Sequence, residues 1–166
     1  MAAHQKFVRG DETSARADLK GADLSNADLE RANLAYVDFQ NANLEGASLK
    51  EARLSSANLA KARLCGADLR KADLTEANLE GADLTGAKAG GAELFRASLR
   101  DAILHRADFG ATNFREADVA GADFQGANMK TAILRETRLD GVDLSSVDLS
   151  TALLPRGYAP PRSTRS

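Results

Sequence analysis

From Ala17 to Leu154 the chain repeats one five-residue pattern 28 times without a break in register. Representative copies are Ala17-Asp18-Leu19-Lys20-Gly21 and Ala82-Asp83-Leu84-Thr85-Gly86. The central residue is Leu in 21 copies, and Phe39, Ala89, Phe109, Phe114, Val119, Phe124 or Met129 in the others. Two residues before it stands Ala in 23 copies, with Val37, Thr112, Thr137, Val142 and Val147 as the exceptions. Directly before the centre stands Asp or Asn in 18 copies. So strict a short period decides the architecture before any other feature does.

A helix needs apolar residues three and four apart, and a lone strand needs unbroken alternation. Neither fits a period of five. Within one copy the small residue and the centre are two apart with a polar residue between them, which is strand-like and puts two apolar side chains on one face. Two polar residues then break the alternation. The chain must bend there to return the next Ala to the same interior. Each copy is therefore a very short strand followed by a corner.

Corner chemistry agrees. Nine of the 13 glycines fall on the second residue after the centre, at Gly21, Gly46, Gly66, Gly81, Gly86, Gly91, Gly121, Gly126 and Gly141, with Asn26 and Asn41 at the same place. A type II turn needs positive φ there, which Gly supplies freely and Asn tolerates. Copies with Lys61, Glu76 or Glu136 at that place are expected to use a turn of another type. The Asp or Asn before the centre points outward and can bond nearby backbone.

These copies resemble the pentapeptide repeat family, whose motif is Ala-(Asp/Asn)-Leu-X-X. The resemblance covers 138 of 166 residues. It implies an all-β fold, a right-handed quadrilateral parallel β-helix with four repeats per coil and so about seven coils. With strands about 4.8 Å apart, the rod is roughly 34 Å long. Centres 20 residues apart then stack in one column. Ala89 leaves a hole in its column, and either the Phe109 ring leans into it or the rod narrows locally at Gly90-Gly91.

Three segments follow from the register. Residues 1–16 precede it, and Phe7 and Val8 either cap the open edge of the first coil or belong to a disordered leader. Residues 17–154 form the solenoid. Residues 155–166 make a basic tail with Arg156, Arg162, Arg165 and Pro160-Pro161, expected to be mobile, with Tyr158 covering the last coil. Residues 1–16 have no apolar run, so they are not read as a signal peptide, and no stretch is long enough for a membrane helix. Cys65 is alone, which excludes an intramolecular disulfide. An outward thiol and no export signal fit a cytoplasmic location.

No catalytic, cofactor-binding or metal-binding residues are expected. His4 and His105 lack metal-ligand spacing. Gly81 to Lys88 approaches a phosphate loop, but Ala87 separates Gly86 from Lys88 and Ala89 follows where Ser or Thr is needed. Function is left to the outer surface. The repeats hold 22 acidic and 16 basic residues, and the leader and tail restore the total to −2.

Sorted by side, the outward residues around Leu24, Leu44, Leu64, Leu84, Leu104, Phe124 and Leu144 are the most acidic: Asp23, Glu45, Asp83, Asp123 and Asp143 against Arg63 and Arg106. They are the candidate partner-binding face. The opposite side carries outward apolars, Tyr36, Phe95, Ile133 and Leu153. Phe95, Ile133, Leu153 and Tyr158 form a candidate patch, covered by the tail or by a second copy in a homodimer near the C-terminal end.

Two functions follow. The first is a non-enzymatic scaffold or regulatory partner that binds a protein of unspecified identity, without direct contact to nucleic acid or membrane. The alternative rests on the resemblance: some family members protect DNA gyrase by imitating duplex DNA, which implies a type II topoisomerase as partner. Those proteins tend to have a central aromatic residue, for which Phe109, Phe114 and Phe124 are candidates. Charge weighs against it. Roughly 34 Å of duplex carries about 20 negative charges, and the repeat region nets 6.

Overall fold

The computed structural model describes residues 17–139 and 141–158. Residues 1–16, the leader segment, and 159–166 of the tail lie outside them. Every pairing residue meets its partner 20 residues on, in parallel: Asp18 with Asp38, Asp23 with Asn43, Asp28 with Ser48, Asn33 with Arg53, and so on up to Ile133 with Leu153. Twenty residues are four repeats, so the chain climbs one rung per four copies and builds four ladders. We number these walls first to fourth, by the pairing residues Asp18, Asp23, Asp28 and Asn33 that begin them.

Three backbone bonds recur from the repeat centred on Leu19 to the one centred on Phe109. Leu19 N–H donates to Asp38 O (2.7 Å), Asp38 N–H to Ala17 O (3.1 Å), and Gly21 N–H to Gln40 O (2.9 Å). A fourth closes the corner, from Ala22 N–H to Leu19 O at 3.1 Å. With this much of the backbone bonded between rungs, side chains are free to sort by polarity alone. The centres and small residues from Leu34 to Leu139 line a continuous buried lumen. Leu19, Leu24 and Leu29 at the first rung are only partly buried.

Lys61, Glu76 and Glu136 do not use another turn. Their φ values are 56, 58 and 63°, the same left-handed conformation as Gly66 at 65°. Sixteen non-glycine corner residues share it, from Asn26 to Glu136. Left-handed backbone costs an L-residue roughly 1–2 kcal/mol. The opposing term is the ladder. Lys61 N–H donates to Glu80 O on the rung above, and Lys61's own preceding carbonyl, Ala60 O, accepts from Asn41 N–H below. Turning that peptide over would break both bonds, and a buried group left unpaired costs about 1–3 kcal/mol. Position in the stack therefore overrides residue preference.

The last rung shows the converse. Ser146 and Thr151 are not in the left-handed region, although Val147 N–H to Leu144 O (3.0 Å) and Ala152 N–H to Leu149 O (3.1 Å) still close their turns. Among the described residues no repeat lies above them, so only the bond from below is at stake. A hydroxyl replaces it in each case: Ser146 Oγ accepts from Gly126 N–H at 3.4 Å, and Thr151 Oγ1 from Thr131 N–H at 3.1 Å.

Thr131 is the β-branched residue in this set, at φ 57°, where branching is least tolerated. Thr131→Asn is expected to raise stability by about 1 kcal/mol, read as a higher urea midpoint. A midpoint at or below wild type would show that the corner carries no strain.

Glycine corners have a second reason. A Cβ at Gly46 would stand 2.6 Å from Asn26 Oδ1, and one at Gly121 would collide with Asp101 Oδ1. The Asn26 and Asp101 side chains lean over the rung above, and Gly there leaves the space. Where both rungs carry side chains, opposite charges pair instead, as in Arg31 with Glu51 (2.8 Å) and Arg96 with Glu116 (2.7 Å).

Around the hole at Ala89, the Phe109 ring meets Phe114 edge-on at 5.2 Å and Phe124 at 6.4 Å. Ala89 is itself fully enclosed, and its carbonyl accepts the buried Thr112 hydroxyl at 2.8 Å. At the far end, Tyr158 packs against the core as a partly buried side chain. No helix among the described residues is long and apolar enough to cross a membrane.

Candidate functional site

The outward residue before each centre has a fixed local role. Twelve aspartates use Oδ1 to accept the N–H two residues on, for instance Ser25 N–H to Asp23 and Thr75 N–H to Asp73, both at 3.0 Å. Asparagines at the same place also reach down a rung. Asn43 Nδ2 donates to Asp23 Oδ1 (3.1 Å), Asn58 to Asp38 (2.9 Å) and Asn128 to Asp108 (2.7 Å). Most outward carboxylates are thus corner braces, which is why their number says little about function.

The second wall brings Asp23, Asp83 and Asp123 of the candidate acidic face onto one ladder, in sequence order. Asp23 pairs with Asn43, Asn43 with Arg63, Arg63 with Asp83, Asp83 with Ile103 and Ile103 with Asp123. That ladder stops at Asp123: Asp143 occupies the next rung without a bridge. Glu45 stands at the adjoining corner and is held by Arg63 at 2.7 Å. His105 Nε2 lies 2.7 Å from Asp123 Oδ2, out of line for a well-directed hydrogen bond. Asp83 and Asp143 make no ion pair among the described residues.

Charge and hydrogen bonding tune these carboxyls. The Asp23 carboxyl sits below the usual range chiefly through the Ser25 N–H, and Asp123 through His105. Burial pushes Asp83 up, but Thr85 and Cys65 more than offset it and the net shift is downward. The Ser145 hydroxyl and N–H lower Asp143. All four therefore stay ionised near neutrality, the state a charged docking surface needs.

Cys65 is half-buried rather than freely exposed. Its Sγ donates to Asp83 O at 4.0 Å, and burial pushes the thiol up to about 11. A thiol that stays protonated is a poor nucleophile. Gly81 and Gly86 are corners with φ of 63 and 66°. No cluster of three His, Cys, Asp or Glu side chains among the described residues is placed to hold a metal.

The candidate apolar patch is on the fourth wall. Ile133 and Leu153 pair directly in adjacent rungs. Ile133 is half-buried, while Leu153 remains 45% exposed with Pro155–Tyr158 in place. Phe95 lies two rungs below Arg135, half-buried, with the Arg96 guanidinium 4.7 Å from its ring centroid. Tyr158 does not join them. It packs on the lumen end, close enough to Asp143 for that carboxylate to raise its phenol, after burial as the main cause.

The sequence pattern gave the walls but not their cross-straps. Arg63 with Glu45 and His105 with Asp123 join residues 18 apart, a spacing that signals contact only once the 20-residue climb is known.

The pentapeptide repeats family model matches eight copies, over residues 15–50, 47–86, 77–115, 92–130 and 112–150. The chain is 32% identical to HetL of the cyanobacterium Nostoc sp. strain PCC 7120, a pentapeptide repeat protein involved in regulating heterocyst differentiation; the match covers 85% of this chain and 78% of HetL, with a TM-score of 0.48. A pentapeptide repeat protein of the Arabidopsis thaliana thylakoid lumen is 28% identical over 70% of this chain and 63% of its own, with a TM-score of 0.45. A trypsin-treated variant of QnrB1, a plasmid-mediated fluoroquinolone resistance protein, shares the fold at a TM-score of 0.55, with 22% identity over 84% of this chain and 77% of its own. No curated protein matches significantly. With its repeats matched by the family model from residue 15 to residue 150, the chain belongs to the pentapeptide repeat family.

Proposed function

We propose that the chain is a non-enzymatic, protein-binding rod, a right-handed solenoid of about seven coils that acts as a scaffold or regulatory partner. One observation supports this most. The repeat's apolar side chains are spent on the lumen, and the walls carry polar groups that brace corners or pair across rungs, leaving surface rather than a pocketed reaction centre. Capture of partners from native cell extract, with wall substitutions as controls, tests it. Loss of every captured protein upon charge reversal on one wall is expected. Capture indifferent to all four walls would overturn it.

Fluoroquinolone resistance is the property named for QnrB1, and a topoisomerase partner is the second reading. Arg63, which holds Glu45, and Ile103 stand in the ladder and interrupt the carboxylate row on the second wall, which favours a general protein partner over a duplex mimic. Added to a gyrase supercoiling reaction at micromolar concentration, the protein is expected to leave supercoiling unchanged. Inhibition, or protection from a quinolone, would reverse the order of the two readings.

Exposure of Leu153 beside Ile133 supports a homodimer near the C-terminal end. Ile133→Asp is expected to convert a dimer to a monomer in sedimentation velocity. A wild-type protein that sediments as a monomer would end that idea.

A further inference from the structure

Three large hydrophobic side chains are exposed among the described residues: Tyr36, Leu153 and Ile103. The first two stand on the fourth wall. Ile103 stands by itself in the middle of the acidic second wall, 40% exposed. It breaks the repeat's rule twice. It exposes apolar surface where the repeat places Asp or Asn, and it removes the Oδ1 acceptor that residues such as Asp83 and Asp123 offer to the N–H two residues on. A departure that costs local stability and returns none is the expected mark of a functional position.

Its neighbours define what it fits. Asp83 is one rung before Ile103 and Asp123, beside His105, one rung after, and Asp143 follows. The wall holds five acidic residues against two basic ones. Of those two, Arg63 is engaged by Glu45, and the stem of Arg106 lies along the corner over Gly126. An apolar side chain between two carboxylates matches an apolar side chain flanked by cations.

Spacing selects the form of that partner. Rungs are about 4.8 Å apart, so the apolar contact lies about 5 Å from the first carboxylate and about 10 Å separates the two flanking ones. A helix lying along the rod rises about 1.5 Å per residue, and positions i, i+3 and i+7 fall at about 4.5 and 10.5 Å on one face. A strand lying the same way repeats its face roughly every 6.6 Å, which misses the rungs.

We propose that the second wall, centred on Ile103 and flanked by Asp83 and Asp123, is a docking site for an amphipathic helix of a partner protein bearing a cation, an apolar residue and a cation at i, i+3 and i+7. This rests on the protein-binding reading above and names the partner's chemistry.

The test uses a synthetic helical peptide with Lys, Leu and Lys at those positions, a scrambled peptide of the same composition, and the full chain, measured by fluorescence anisotropy at low salt. Wild type is expected to bind the patterned peptide at least tenfold more tightly than the scrambled one, with affinity falling as salt rises. Ile103→Asn is the decisive variant. It should abolish that preference while raising the melting temperature, because the new amide restores the corner acceptor and can donate to Asp83 as Asn43 does to Asp23. Asp83→Lys should weaken binding at least tenfold, and Glu93→Lys on the fourth wall should not.

Equal binding of both peptides, or full binding by Ile103→Asn, would overturn the proposal. A result in which native partners are captured by wild type and by Ile103→Asn alike, but lost with Leu153→Asp, would overturn it while leaving the protein-binding rod intact.

Discussion

Phe109→Ala is expected to lower the free energy of unfolding by about 4 kcal/mol, the largest effect of any single substitution considered. Phe109, Phe114 and Phe124 are fully buried and meet edge-on in a triangle with centroids 5.2, 6.3 and 6.4 Å apart. Edge-to-face rings add roughly 0.5–1.5 kcal/mol beyond area burial. The column below offers no compensation, because Ala89 is already the smallest centre in it. Backbone bonds on both sides, Phe109 N–H to Asn128 O (2.8 Å) and Ala89 N–H to Asp108 O (2.7 Å), hold the walls apart and limit collapse into the cavity.

Urea unfolding followed by circular dichroism checks this. In a rod where each rung touches only its neighbours, stability is roughly a sum of rung and interface terms. The transition of Phe109→Ala is therefore expected to broaden or split as the middle rungs melt first. A single transition at the wild-type midpoint would show that the ring triangle contributes nothing.

The second large effect is loss of stability in acid. Asp23 is held below the ordinary carboxyl range by the Ser25 N–H, Asp68 by the Arg70 side chain, Asp123 by His105, Asp143 by Ser145 and Asp148 by Ser150. For Asp83 and Asp118 burial raises the carboxyl, but hydrogen bonds from Thr85 and Ala120 lead the stronger downward set. A carboxyl whose folded pKa lies below its unfolded one stabilises the fold above the unfolded value, and that stability is lost as pH falls through the folded value. The unfolded reference is 3.8 for each Asp.

Melting temperature is thus expected to hold steady from about pH 7 to about pH 5 and to drop below about pH 4. Most of these braces are exposed and each is individually weak. Their effect is large because Asp23, Asp68, Asp83, Asp118, Asp123, Asp143 and Asp148 act together. A melting temperature unchanged down to about pH 2 would show that these bonds do not distinguish folded from unfolded chains.

Much of this was legible in the residues. The five-residue period, the Ala and Leu spacing and the clustering of Gly at one place require short strands joined by corners, and an apolar lumen follows because two side chains per copy share a face. The acidic character of one side also follows from sorting outward residues in register. Sequence alone did not reveal that Lys61, Glu76 and Glu136 would take the left-handed conformation. Local preference opposes it, and for Lys61 and Glu76 the bonds to the rungs above and below reverse the balance.

The candidate site divides along the same line. Sequence determined which residues face outward, since alternation within a copy is a local property of extended backbone. Tertiary structure decided which of them are free. Arg63 reaches Glu45, His105 reaches Asp123, and Asn43 reaches Asp23 only because the climb places residues 18 to 20 apart side by side. Stacking also turned Ile103 from a gap in a row of charges into an apolar contact between two carboxylates. The repeat fixes the inside because burial acts on each copy in the same way, and the stack fixes the outside because pairing depends on what the neighbouring rung presents.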